Sequence, residues 1–284
     1  MTGGVWFALG ALVCYGLGDL VYKRAAVTGV PTHQFMMVQT WFFLSFVTLY
    51  GFVTGTLTFG AASLWGAAAA VFAFTGFYNF AQSLKSGSVS INAPIFRLSF
   101  TVTAALAVVM LGEPLTSDKS VGIALALAAV WLLLGGGAGG SSARKPIASS
   151  LVRVLIATVS VGVANLVYKY GLRAGATPAS LLVVQAMTVV TMATSLSSYI
   201  DGGIKPVRRV WRFSIAAAVL LSSAFVLLLE GLARGEASVL VPIAQMGFVV
   251  TAVVGFVFLR ETFTPRRGVG LIAALAALAS LARS

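Results

Sequence analysis

Ser90, Pro94, Arg97 and Thr101 stand at spacings of four, three and four, so a helix through them presents one polar face with a guanidinium at its centre. The segment around them, "INAPIFRLSF", runs on almost without polar interruption to Leu111. A cation deep in such a segment costs at least ~2.5 kcal/mol on membrane-insertion scales, so it turns toward a cavity or a partner. The planar donor fork of arginine binds carboxylates and phosphates bidentately, which makes Arg97 an anchor for an anionic group. The competing use is structural: a permanent tie to a carboxylate and to helix carbonyls. Pro94 withdraws one amide and frees a carbonyl one turn earlier, which predicts a loosened helix beside the arginine.

Two acids also lie within apolar segments. Asp19 shares a helical face with Tyr15 and Tyr22, and Glu230 stands near the end of another apolar run. Asp19 is expected to alternate between pairing with Arg97 and carrying a proton, and Glu230 is the second proton-coupling candidate. The plain alternative for either is a helix-end acid that neutralises a nearby base. If Arg97 holds a negative group, Asn79, Gln82, Asn165 and Gln245 are the expected polar contacts of a substrate. Tyr22, Tyr78 and Tyr168 would shape the cavity, although single tyrosines in such segments commonly pack or anchor at an interface.

Other chemistry is excluded by composition. Cys14 is the only cysteine and His33 the only histidine, which rules out an intramolecular disulfide and leaves no set of His and Cys ligands for a metal. No cofactor is implied. The chain has no convergent catalytic set and no glycine-rich phosphate loop on a soluble domain, so it reads as no enzyme. No ring of like charges suggests a channel.

The elements that must position these residues are membrane spans. Hydrophobic residues make up 59% of the chain and charged residues 9%, against about a quarter charged in a soluble domain. Apolar runs of about 20 residues, the length needed to cross a bilayer, are read at Gly3 to Arg24, Thr32 to Thr54, Ser63 to Leu84, Ser88 to Leu111 and Lys119 to Gly137. Five more follow at Ile147 to Leu172, Thr177 to Ile200, Trp211 to Leu232, Ala237 to Leu259 and Arg267 to Leu281. No segment has the alternating period of a barrel strand, so the fold class is all-α integral membrane with ten helices. The first run is long and lacks a preceding basic region, so it is expected to stay in the mature protein.

The second half repeats the first. "LVYK" at Leu20–Lys23 recurs at Leu166–Lys169, and at the same offset of 146 Gln39 falls on Gln185. At an offset of 148, Ser90, Pro94, Phe100, Thr103 and Glu113 fall on Ser238, Pro242, Phe248, Thr251 and Glu261. The offsets pair each charge with an amide: Asp19 with Asn165, Arg97 with Gln245, Glu230 with Gln82. Five spans is an odd number, so consecutive copies enter the membrane from opposite sides. Such inverted repeats are a plan of secondary transporters, with a substrate site near the midplane and alternating access between the halves. The expected units are a five-helix repeat at 1–137, a Gly/Ser-rich basic linker at 138–146 and a second five-helix repeat at 147–284.

With its five-plus-five spans, the Pro-Ile pairs of spans four and nine, and the loop glutamates of "LGEPLT" and "LRETFT", the chain resembles the drug/metabolite transporter superfamily, in its ten-helix members made of two EamA-type repeats. The resemblance covers nearly the whole chain. It implies a central cavity lined by the first four spans of each half and transport of small metabolites, often amino acid export in bacteria.

The reading is therefore a multi-pass protein of the bacterial inner membrane that exports a small-molecule substrate, an amino acid or related organic anion or zwitterion, by alternating access, with Asp19 or Glu230 expected to couple protons. A flippase for a lipid-linked or polyprenyl-linked substrate is the alternative. The net charge of +12 sits singly at helix ends and points to membrane topology, with no nucleic acid as partner. Of the 19 basic residues, thirteen fall on the side of the loops after odd-numbered spans and five on the side of the termini, Arg97 excepted, which places both termini outside the cytoplasm. Spans five and ten, free of internal charge and rich in small residues, either buttress the bundle or form a dimer seam; monomer and homodimer both stay open.

Overall fold

The computed structural model describes residues 2–86, 92, 95–134, 148–250, 253–254 and 265–283. Among these residues there is no strand. Repeat one supplies α1 (Thr2–Val27), α2 (Thr32–Val53), α3 (Trp65–Ser86), entered through a 3-10 turn at Ala61–Leu64, α4 (Ser99–Leu111) and α5 (Ser117–Leu134). Repeat two supplies α6 (Ala148–Arg173), α7 (Pro178–Asp201), α8 (Arg208–Arg234), α9 (Ala237–Gln245) and α10 (Pro265–Arg283). Local sequence sets the ends. Thr177 caps α7 by accepting from Ser180 N at 3.2 Å with Pro178 in the first turn, and Gly202 closes the helix with φ at 62°.

Among the described residues, six helices, α1 to α3 and α6 to α8, are long and apolar enough to cross a membrane. Large apolar side chains such as Trp6 on α1, Phe52 on α2, Val109 on α4 and Trp131 on α5 stay exposed on outer faces, as they would against lipid. The helix α8, at 27 residues, is roughly 40 Å long at 1.5 Å per residue. It exceeds the ~30 Å hydrocarbon core, which leaves Arg208, Arg209 and Arg234 at its two ends for the interfaces.

The repeats interlock. The main helix contacts run across them: α1 lies against α8 and α9, α6 against α3 and α4, α2 against α7 and α8, and α5 against α10. Each contact has its mirror under exchange of the repeats. The core is consequently shared, and neither repeat buries its own apolar faces alone.

Spans four and nine are not continuous helices. Residues 95–97 are helical, the chain turns at Leu98, and α4 starts at Ser99. Its counterpart α9 stops at Gln245, and residues 246 and 247 form a turn before 248–250 resume helix. At the break the amide of Leu98 bonds Ile95 O at 3.0 Å and that of Met246 bonds Ile243 O at 3.1 Å, i to i−3 in both repeats. Loosening was expected beside Arg97 from Pro94, which lies outside the described residues. Pro242 is inside α9, four residues before the equivalent turn, so the proline and the break keep one register across a helical turn.

Close backbone crossings hold the broken helices. A Cβ added at Gly16 on α1 would stand 2.4 Å from the carbonyl oxygen of Gly247 and 2.6 Å from Val250 Cβ. The mirror position, Gly162 on α6, would meet Val102 Cβ at 2.6 Å and Ser99 O at 3.1 Å. Only glycine allows helices this close, the packing mode that membrane bundles favour. The helices α5 and α10 pack chiefly on each other, with Gly122 under Leu281 and Arg266 over the Trp131 ring at 4.5 Å.

Candidate functional site

Arg97 sits at the break preceding α4, roughly 20 Å of helix from Leu111 at 1.5 Å per residue. It is buried, at 8% exposure. One terminal nitrogen forms an ion pair with Asp19 of α1, and the other donates to Gln245 Oε1 of α9 at 3.5 Å, the long end of the hydrogen-bonding range. Three separate helices thus converge on one guanidinium. Asp19 is less enclosed than its partner, with 38% of its side chain accessible. Tyr15, one turn before Asp19, is buried and stands within electrostatic reach of Arg97.

The repeat-related position is arranged differently. Asn165 is buried at 3% exposure and donates to Thr103 Oγ1 at 3.3 Å. Thr103 in turn bonds the carbonyls of Ser99 and Gly162, both at 3.2 Å. Asn165 therefore stitches α6 to α4 at the glycine crossing and is not beside Arg97 in the contacts it makes.

Tyr22, Tyr78 and Tyr168 are held by different partners. Tyr22 donates to Gln39 Oε1 at 2.6 Å and meets the Phe35 ring edge-on at 4.9 Å. Tyr78 accepts from Gln82 Nε2 at 3.1 Å and stacks on Phe74 at 6.0 Å. Asn79 donates to Thr75 O within its own helix at 2.9 Å. Tyr168 is fully buried, its ring edge-on to Phe225 at 6.1 Å.

Glu230 lies elsewhere. Its carboxylate accepts from Tyr50 at 2.7 Å and pairs with Arg234 one turn on, the helix-end neutralisation weighed for it above. It belongs to a belt of polar ties on the face where α2, α4, α6 and α8 end. There Glu113 accepts from Ala237 N at 2.9 Å, Ser238 N at 2.8 Å and Ser238 Oγ at 2.6 Å. The loop glutamate of "LGEPLT" is thus the cap of the opposite repeat's α9, satisfying amides that a helix N-terminus leaves free. Fully buried Lys119 pairs with Glu236, and Lys169 donates to the carbonyls of Leu232 and Gly235. Glu261, the mirror of Glu113, lies outside the described residues, as does Ser90.

A cavity of about 40 Å³ opens among α1, α2, α3, α7 and α8, within the first four helices of each repeat. Tyr22 is the member of the expected set that lines it, and Arg97 is not on its wall. Phe225 joins the two regions: its ring lines the cavity and meets Tyr15 edge-on at 6.0 Å. Besides Thr40, whose hydroxyl bonds Met37 O, the polar groups on the wall that sequence reasoning missed are Gln39 and Gln185. Their signal was visible, since they mark the repeat at an offset of 146, but nothing in one dimension says which side of a span faces a cavity.

Such a bundle, with inverted five-helix repeats, paired broken helices and a half-buried ion pair near a cavity between the repeats, defines a multi-pass membrane transporter. The chain belongs to the EamA-like transporter family, which it matches at residues 2–135 and again at 148–283. It is thereby a membrane transporter of the drug/metabolite transporter superfamily. A solved structure described as "Crystal structure of protein" has the same fold, with a TM-score of 0.82 at 15% identity, over 99% of this chain and 96% of its own. No curated protein matches the sequence.

Proposed function

We propose that the protein exports an amino acid or a related organic anion or zwitterion across the bacterial inner membrane by alternating access, with solute binding coupled to protonation of Asp19. The observation that carries this reading is the Arg97–Asp19 pair, a buried cation whose carboxylate partner stays partly accessible. A solute carboxylate is a chemical equivalent of the Asp19 side chain and competes for the same donor fork. When solute takes the fork, Asp19 loses its counter-ion, and neutralising it by a proton avoids the cost of an unpaired charge in a low-dielectric setting. Solute leaving returns Arg97 to Asp19 and releases that proton. The arginine holds either Asp19 or the solute, so solute and proton load and leave together.

Counterflow and pH-driven uptake in proteoliposomes test this directly. Arg97→Gln should abolish exchange of carboxylate solutes. Asp19→Asn should keep counterflow while losing the response to a pH gradient. Normal exchange in Arg97→Gln, or unaltered pH-driven accumulation in Asp19→Asn, would overturn the scheme.

The apolar wall of the cavity favours one second reading, a flippase for a lipid-linked substrate. Scrambling of a fluorescent lipid by the reconstituted protein would establish it in place of solute exchange.

A further inference from the structure

Four cations crowd the start of α8. Lys205, Arg208, Arg209 and Arg212 are all exposed, and among the described residues none of them forms an ion pair. Asp201, the acid nearest in sequence, is bound by His33 at 3.0 Å and by Gln34 at 2.9 Å. Arg209 donates to Thr28 O at the end of α1 at 3.4 Å, and Arg212 stands 4.7 Å over the ring of its neighbour Phe213. The first turn of α8 holds no acid either, so the cluster carries a net charge that the protein itself leaves unanswered.

The scaffold does not require these cations. At the offset of 148 the four positions fall on Leu57, Gly60, Ala61 and Leu64, none of them charged, yet α3 packs on α6 as α8 packs on α1. The helix forms equally well without them.

The surface next to the cluster indicates the partner. Trp211, Ile215 and Val219 follow one another at four-residue spacing and are 37%, 36% and 41% exposed, which makes one apolar strip running along α8 away from the cations. Because α8 is longer than the hydrocarbon core, its first turns stand at headgroup level and the strip below them faces acyl chains. A soluble anion would use the cations and leave the strip bare. An anionic phospholipid uses both, with its phosphate in the arginine forks and a chain along the strip. Clusters of Lys and Arg beside a membrane span attract such lipids. The loop before α8 also lies on the side that holds thirteen of the 19 basic residues, the side read as cytoplasmic.

We propose that the start of α8 is a binding site for an anionic phospholipid, with Lys205, Arg208 and Arg212 on the headgroup phosphate and Trp211, Ile215 and Val219 along an acyl chain. The site is independent of what Arg97 carries.

Native mass spectrometry of the full-length protein in detergent, given equimolar phosphatidylglycerol and phosphatidylcholine with matched chains, is the test. Wild type should carry phosphatidylglycerol at least about fivefold more often, the effect of one interfacial cation. Lys205→Gln combined with Arg208→Gln and Arg212→Gln, three residues without a hydrogen bond among the described residues, should abolish that preference. Arg208→Lys with Arg212→Lys keeps the charge and should keep most of it, which separates loss of the site from loss of the fold. Ile215→Ser with Val219→Ser should weaken both lipids and leave their ratio unchanged. Glycerol 1-phosphate, which has the anionic group but no tail, should not displace the bound lipid.

Equal binding of the two lipids to wild type, a preference that survives in the glutamine variant, or an equal loss in the lysine variant would overturn the proposal. So would undiminished lipid binding in the strip variant, or displacement by glycerol 1-phosphate, which would make this a site for soluble anions.

Discussion

Asp19 and Asn165 occupy equivalent places in the two repeats, and the structure uses them for different purposes. Asp19 on α1 is part-exposed and bound to Arg97 at the break before α4, while Asn165 on α6 is buried and bound to Thr103 on α4. The backbone around them is nearly the same in both repeats, down to the broken helix and the glycine crossing. The difference teaches that duplication fixed the scaffold and substitution placed the charge. Under the proposed function, this ionisable pair on a symmetric frame would give the transporter a single place to bind an anion and two equivalent ways to expose it.

The sharpest way to break the comparison is at the crossings. Gly16→Val pushes a side chain into the carbonyl of Gly247, where backbone must move, and should cost more than the roughly 1–3 kcal/mol of ordinary overpacking. Loss of monodisperse folded protein on size exclusion is expected. Gly162→Val meets Val102 Cβ at 2.6 Å, which the backbone also holds, but the nearest carbonyl, Ser99 O, is at 3.1 Å against 2.4 Å at Gly16, so its melting temperature should fall somewhat less. Equal losses would mean that the two crossings are equally rigid.

Exchanging the charges comes next. Asp19→Asn strips a buried arginine of its partner, an event worth about 3–5 kcal/mol for an enclosed pair. Because Asp19 keeps solvent contact, about 1–3 kcal/mol of destabilisation is expected, read from thermal unfolding. Asn165→Asp should not be tolerated better, since the new carboxylate would be enclosed without a cation. A double variant, Arg97→Gln with Gln245→Arg, moves the cation to the mirror break. Recovery of exchange when Asn165→Asp is added would make the symmetry functional, and continued inactivity would limit it to the scaffold.

A smaller effect is expected at the helix cap. Glu113→Gln keeps the shape but weakens three hydrogen bonds at the start of α9, for about 0.5–2 kcal/mol. A melting temperature equal to wild type would show that the cap is dispensable. The smallest effect separates the tyrosines. Tyr22→Phe removes a formed bond and should cost about 1 kcal/mol, whereas Tyr168→Phe removes a hydroxyl with no completed bond among the described residues and should be close to neutral in stability.

Ten spans, their odd-numbered repeat and the pairing of Arg97 with Gln245 could be read from the chain, because apolar length and self-similarity are one-dimensional properties. The inward turn of Arg97 followed from the cost of a charge in lipid, and its partner Asp19 was nameable because few acids were available. Other features needed the folded molecule. Glu113 reads as a loop residue until the start of α9 is placed over it, more than a hundred positions away in sequence. Gln39 and Gln185 read as repeat markers until five helices from two repeats enclose them. The sequence by itself determined which groups must leave the lipid, since burial free energy depends on residue type. Tertiary structure alone decided which of them meet, since that depends on how interlocked helices cross, and the crossings were set by glycines whose neighbours lie in the other repeat.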